Sequence, residues 1–327
     1  MKNSEPSASR TLILLALLTL YVVWGSTYLA IRVGVETFPP FLMGATRFAV
    51  AGLALYAILA CKGPVRLTRK QWIDSAIGAF FMLLGGNGLV SWAEQSIPSG
   101  VATLVISLNP VFFVLAEWLV SHYGKAGLSS RAGRPNLWTW IGLFVGFLGL
   151  LILVAPSLGE GSGEVFDIAR LAGLILACVN WTIGSMFVRH AREPAEPMFG
   201  AAAQMLCGGG WMLAASYFAG ELVDFQWSQI APAAWWAWGY LILAGSLLGY
   251  TSFVWLMKHT SPTLVSTYGY INPIVAVFLG WWILGEPVGP RIALASLTII
   301  AGVALVSLSK NPAWSRNRNE PSQRNSN

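Results

Sequence analysis

Arg47 is a charged residue inside an otherwise apolar run, residues 41–61, seven positions after Pro40. At helical rise this places it about 10 Å from the start of a helix. A guanidinium inside a bilayer costs about 2.5–3.5 kcal/mol on insertion scales, so it needs a partner or a use. One interpretation is a clamp for an anionic or zwitterionic ligand. The alternative is a structural ion pair with Glu94 or Glu36, or extension of the side chain toward the surface.

Other polar and aromatic residues also lie deep within apolar runs. Amides and indoles at such depth must face a cavity or a partner, and helix packing is the alternative use for each. For Trp24 and Trp181, cavity lining and core packing are equally acceptable. Together with Arg47 these residues form the predicted substrate-binding set: Trp24, Asn87, Asn109, Asn180, Trp181, Tyr250, Tyr268 and Asn272.

Catalytic and metal-binding patterns are missing from the sequence. Three cysteines and three histidines show neither CxxC nor HExxH spacing, and no GxxxxGK[ST] run is present. An intramembrane enzyme would need a buried nucleophile and base or a ligand set. We therefore expect no enzyme activity, no cofactor and no metal.

Acidic residues of the apolar runs lie near their ends rather than at mid-depth. They are Asp74, Glu94, Glu117 and Glu286. The sequence leaves proton coupling open, with Glu94 as its best candidate and an interfacial cap as the alternative role for that residue.

The amino-acid composition indicates that most of the chain is surrounded by lipid. Of 327 residues, 55% are hydrophobic and only 10% are charged, whereas soluble domains carry roughly 25% charged residues. This excludes an ordinary soluble enzyme, a nucleic-acid binder and a disordered scaffold. The net charge of +6 is then better explained by cytoplasmic loops rich in Lys and Arg.

Ten apolar segments are long enough to cross a membrane, for which about 20 residues are needed. The predicted fold is therefore all-α and integral to the membrane, with ten transmembrane helices and polar tails at 1–10 and 310–327. The segments are 11–31, 41–61, 72–93, 97–120, 137–155, 169–188, 198–219, 234–257, 262–284 and 291–309.

Charge bias orients these segments. With a cytoplasmic N-terminus, sixteen of the 20 Lys and Arg residues fall on the inside and three on the outside, and Arg47 lies within a helix. Such a bias predicts that both termini are cytoplasmic.

The two halves of the chain share a pattern. Asn109-Pro110 and Asn272-Pro273 lie in similar runs, and Trp24 and Trp181 each precede a proline by 16 residues. Five spans in each copy would insert the second copy upside down, a plan typical of secondary transporters. We predict inverted repeats at 11–155 and 169–309, joined by a periplasmic loop at 156–168.

These runs resemble a known family. YVVWGSTYLAIRVGVETFPPFLMGATRFAVAG (21–52), GNGLVSWAEQSIPSGVATLV (86–105) and INPIVAVFLGWWILGEP (271–287) look like EamA-domain transporters of the drug/metabolite transporter superfamily. The resemblance covers about 11–309. It implies two EamA repeats, a bacterial inner-membrane location and export of small metabolites or drugs. One departure is that Glu286 has Tyr123 at the matching position of the first half.

The predicted function is a secondary transporter that exports small metabolites, such as amino acids or related compounds, by alternating access. The alternative is efflux of lipophilic or cationic drugs. A membrane-embedded receptor or assembly factor is the third interpretation, which the internal symmetry disfavours. Expected partners are a small-molecule substrate and membrane lipid, with no nucleic acid.

Overall fold

The computed structural model describes residues 10–63, 67–123, 136–155, 166–190, 197–260, 262–265 and 267–309. All regular structure within these ranges is helical, which confirms the predicted all-α class. The predicted tails other than Arg10, the 156–165 part of the predicted periplasmic loop and the charged loop at 124–135 lie outside the described residues.

In the first half, helix starts carry clear local signals. Pro40 opens a helix at its first turn, where its missing N–H costs nothing. Thr68 and Gln71 form a reciprocal capping box at the start of the helix that begins at Arg69. The helices are Arg10–Gly34, Pro40–Ala60, Arg69–Ala93, Ser99–Ile106, Asn109–Tyr123 and Leu137–Val154.

The second half is built in the same way. Three consecutive helical stretches from Pro232 to His259 follow one another without a break. The helices are Ile168–His190, Pro197–Phe218, Pro232–Tyr240, Leu241–Gly249, Tyr250–His259, Pro262–Val265, Tyr268–Leu284 and Pro290–Ser309.

Within the described part of the chain, six helices are long and apolar enough to cross a membrane, and three shorter apolar helices accompany them. The chain is therefore a multi-pass membrane protein by length and composition. The count of ten spans and the inverted arrangement of the halves stay predictions.

Glycines let helices of the two halves pack backbone to backbone. A Cβ on Gly142 would lie 2.8 Å from the carbonyl oxygen of Gly302, and a Cβ on Gly209 would lie 2.9 Å from the amide nitrogen of Ala49. Small residues allow this close approach, which drives helix association in lipid where the hydrophobic effect cannot.

The two Asn-Pro pairs lie differently in their helices. The regular α-helical bonding is interrupted at Ser107–Leu108, although Ser107 keeps helical backbone angles and Ser99–Ala116 counts as one span, and the next α-helical segment starts at Asn109. Pro273 lies instead inside the Tyr268–Leu284 helix, which is assigned as one unbroken helix. Pro110 therefore lies in the first turn of a helical segment, where its missing N–H costs nothing, whereas Pro273 lies within one.

Hydrogen bonds gather several loops at one end of the bundle, which we call the Glu286 end. Gly285 terminates its helix with φ 65°, a left-handed cap that only glycine adopts easily. The chain reverses there, and the Glu286 carboxylate accepts bonds from Ser99 N (2.7 Å), Ser99 Oγ (3.0 Å) and Gly100 N (3.2 Å).

A second carboxylate, Glu221, caps another helix at the same end. Its oxygens accept bonds from Phe41 N (3.1 Å) and Leu42 N (2.8 Å). Both glutamates belong to the second half of the chain and both capped helices to the first. Carboxylates at helix N-termini satisfy otherwise unpaired N–H groups and the helix dipole, so these caps tie the halves together.

Candidate functional site

A cavity lies between the helices of the two halves. The cavity opens toward solvent, and about 850 Å³ of unfilled space lies within it and at its mouth. Eight residues of the predicted substrate-binding set line it: Trp24, Arg47, Asn87, Asn109, Trp181, Tyr250, Tyr268 and Asn272.

Stretches of wide, π-type helix border this cavity. They span Leu20–Trp24, Phe80–Gly88 and Leu241–Gly249, and each contributes lining residues. Wide turns shift the side-chain register and are frequent at functional sites. The stretch Leu241–Gly249 supplies Gly245 and Ser246 to the wall.

Arg47 is buried in the cavity wall with a neutral partner. Its Nε donates to Ser246 Oγ at 2.9 Å, and the guanidinium carbon lies 4.7 Å from the centre of the Phe48 ring. A Cβ on Gly245 would lie 3.0 Å from Arg47 Nη2, so the missing side chain leaves room for the guanidinium.

The ion pair proposed for Arg47 does not form. Neither Glu94 nor Glu36 bonds to it, and the salt bridge seen between two described residues joins Arg170 to Asp167 instead. The Arg47 charge is thus buried without a carboxylate, a costly state that a bound anion would relieve.

The cavity amides fall into two kinds. Asn109 Oδ1 is buried without a hydrogen-bond partner. The Asn272 amide, oriented so that its nitrogen donates, binds the carbonyls of Tyr268 (3.2 Å) and Tyr21 (3.1 Å). Asn272 therefore ties two helices together, whereas Asn109 lines the cavity and has a buried acceptor that no donor satisfies.

Aromatic rings form much of the remaining wall. The Trp24 ring centre lies 5.2 Å from those of Phe253 and Tyr268, and Trp24 Nε1 donates to the Gly245 carbonyl at 3.4 Å. Tyr250 Oη donates to Gln204 Oε1 at 2.6 Å. These contacts fix the rings in place in the cavity wall.

Asn180 is the one predicted site residue that the structure does not bring to the cavity. Its Nδ2 donates to the Leu176 carbonyl at 2.9 Å, and a Cβ on Gly85 would lie 2.7 Å from its amide carbon. Asn180 therefore packs against the helix that carries Gly85, which corresponds to the helix-packing alternative.

Sequence reasoning missed Thr27, Tyr28, Gly245 and Ser246 as lining residues. Small and hydroxyl residues are abundant in membrane helices, so residue type alone does not show which of them face inward. Among the residues that line the cavity, none is a carboxylate, histidine or cysteine, and the described residues hold no cluster of three metal-ligating side chains.

Comparison with known proteins identifies the family of this chain. The EamA-like transporter family profile matches residues 11–155 and again 170–308. The chain belongs to the EamA-like transporter family. The similarity covers nearly all of the described helices, including every helix that lines the cavity.

Several relatives of this EamA protein carry transporter names. An uncharacterized inner membrane transporter, YedA of Escherichia coli K12, is 33% identical over 296 residues, covering 90% of each chain. A probable amino-acid metabolite efflux pump of Salmonella typhimurium LT2 is 24% identical over 300 residues, covering 88% of this chain and 92% of the relative.

One solved crystal structure shares the fold. It aligns with a TM-score of 0.60 and 21% sequence identity, over 95% of this chain and 100% of that one. At this identity the likeness shows the fold alone.

Proposed function

We propose that this EamA protein is a secondary transporter that exports small metabolites, such as amino acids or related compounds, across the inner membrane by alternating access. The observation that carries the proposal is Arg47, a buried guanidinium that lines a cavity and has no carboxylate partner. A substrate carboxylate would supply the missing charge and accept paired N–H bonds from the guanidinium.

The same cavity holds complementary groups for the other end of an amino acid. Asn109 Oδ1 is an unused acceptor for an ammonium, and the rings of Trp24 and Tyr268 offer faces that attract cations. The apolar lining residues Ile31, Leu83 and Val90 would accommodate an uncharged side chain. Donor, acceptor and apolar wall together fit a zwitterion better than a simple anion.

Two comparisons support the transport cycle and the substrate class. The family profile matches the chain twice, once in each half, as expected if the halves are the inverted repeats of an alternating-access transporter. The Salmonella relative is named as an amino-acid metabolite efflux pump, and this chain spans most of its length.

Efflux of lipophilic cations is the second candidate function. The aromatic lining favours it, because indole and phenol faces bind cations. Arg47 opposes it, since a buried positive charge repels a cation and no carboxylate lines the cavity to compensate.

A thermal-shift screen of the purified protein tests the proposal. Amino acids, sugars, nucleotides and cationic dyes are compared for stabilisation, which grows with ligand concentration relative to Kd. We expect stabilisation by amino acids, its loss in Arg47→Gln, and partial recovery in Arg47→Lys, which keeps the charge without the planar fork. Stabilisation by cationic dyes alone, retained in Arg47→Gln, would favour the alternative.

Orientation is a separate part of the proposal and has its own experiment. Cys61 is exposed just after the Pro40–Ala60 helix, and Glu36 precedes that helix at the Glu286 end. A membrane-impermeant thiol reagent should label Glu36→Cys in intact cells, while native Cys61 reacts only after permeabilisation. Labelling of Cys61 in intact cells would place the termini outside.

A further inference from the structure

Glu94 is a buried carboxyl group that the cavity chemistry does not use. It directly follows the Arg69–Ala93 helix at the Glu286 end, and its exposed fraction is 0%. Neither Oε1 nor Oε2 has a hydrogen-bond partner. Arg32 Nη1 comes close, but it donates to the backbone carbonyl of Glu94 and leaves the carboxyl oxygens unpaired.

Charged and titratable groups surround Glu94 on its neighbouring helices and loops. Glu286 and Arg32 both act on its charge, and Tyr28 lies within electrostatic range. Arg170, on the Ile168–His190 helix, is engaged elsewhere, with the Trp92 carbonyl and Gln95 Oε1. An ionised carboxylate without donors, beside a second carboxylate, is unfavourable in this arrangement.

We propose that Glu94 is a proton-binding site, and that the Glu286 end closes as observed only while Glu94 holds a proton. Loss of the proton leaves a buried, unpaired charge close to Glu286. Solvation of that charge requires water, which reaches it when the Glu286–Ser99 contacts separate. The proton comes from solvent and returns to solvent, so the step involves no other reactant.

This site would couple proton movement to the proposed transport cycle, on which that part of the inference rests. Tyr28 belongs to the cavity wall and also lies near Glu94. A substrate that shifts Tyr28 would therefore alter the surroundings of Glu94. Closing this end takes up one proton and opening it releases one, as an antiport cycle requires.

The sign of the pH dependence follows from the surroundings. Burial, then the Glu286 charge, raise the pKa of Glu94 well above its ordinary value, and Arg32 opposes them. A carboxyl whose folded-state pKa is raised destabilises the observed arrangement as pH rises past its unfolded value. The closed form is therefore favoured at low pH and lost toward high pH.

The experiment compares the wild type with Glu94→Gln, which mimics the protonated carboxyl, and with Glu36→Gln as a control at an exposed loop position. Between about pH 5 and about pH 9, the Tm of the wild type should fall relative to that of Glu94→Gln by about 4 °C or more. Glu36→Gln should follow the wild type. A difference between wild type and Glu94→Gln that stays constant with pH would overturn the proposal.

A distance measurement provides the second readout. Spin labels at Ser96 and Val288, both exposed at the Glu286 end, should report a longer separation at high pH in the wild type and a short one at every pH in Glu94→Gln. If that variant fails to fold, Arg32→Gln replaces it. Removal of this cation should move the midpoint of the distance change to higher pH, and an unmoved midpoint would refute the assignment.

Neither readout uses a substrate. A failed ligand screen would therefore count against the proposed function alone, and a flat pH response would count against Glu94 alone.

Discussion

The helix-capping carboxylates and the polar groups of the central cavity are bonded in opposite ways, and Glu94 is the unbonded exception at the Glu286 end. At the end, Glu286 and Glu221 accept five bonds from helix N-termini between them. In the cavity, Arg47 has one neutral partner and Asn109 Oδ1 has none. Satisfied groups stabilise a fold, whereas unsatisfied ones beside an open space mark where a ligand completes the bonding. Substitutions in the two regions should therefore change different measured quantities.

The largest expected effect is on stability, from Glu286→Ala. Removal of three charge-assisted hydrogen bonds should cost about 2 kcal/mol and lower the Tm by about 4 °C or more. Glu36→Gln, in an exposed loop at the same end, should leave the Tm unchanged. Equal Tm values for Glu286→Ala and the wild type would show that the cap does not join the halves.

Gly245→Ala should change ligand binding more than stability. The added methyl group would contact Arg47 Nη2 and Thr27 Cγ2 and displace the guanidinium. We expect affinity for the best-binding amino acid of the screen to fall about tenfold. Gly239→Ala is the matched control, because nothing lies within 4 Å of a Cβ there. An equal loss of affinity in both variants would contradict the claim that Gly245 leaves room for the Arg47 guanidinium.

Asn109→Ala should weaken amino-acid binding by about fivefold, because one hydrogen bond to the ammonium disappears. Titration calorimetry can resolve such a change. Asn180→Ala should leave affinity unchanged, since Asn180 packs against Gly85 outside the cavity. The reverse order of effects would support the sequence-based assignment of Asn180 over the structural one.

The comparison also shows what the sequence could reveal. Apolar runs predicted helices because lipid admits few other backbone structures. Arg47 and Asn109 stood out because polar groups are rare at such depth. Eight of the nine predicted residues line one cavity, although their role in substrate binding stays a prediction.

Other features depend on three-dimensional register and could not be read from one sequence. Ser246 bonds to Arg47 from the wide turn at Leu241–Gly249. No residue pattern in the sequence predicts this wide turn. The partner of Glu286 is Ser99, 187 positions away. Asn180 and Trp181 are adjacent in sequence, yet only Trp181 lines the cavity, because successive helical residues point about 100° apart.

The most direct test of the central claim is the preference of the cavity for a free carboxylate. The Kd of the best-binding amino acid is compared with that of its carboxamide, in the wild type and in Arg47→Gln. The account predicts a preference of about tenfold or more for the carboxylate in the wild type, and nearly equal affinities in Arg47→Gln. A preference that persists in Arg47→Gln, or no preference in the wild type, would contradict it.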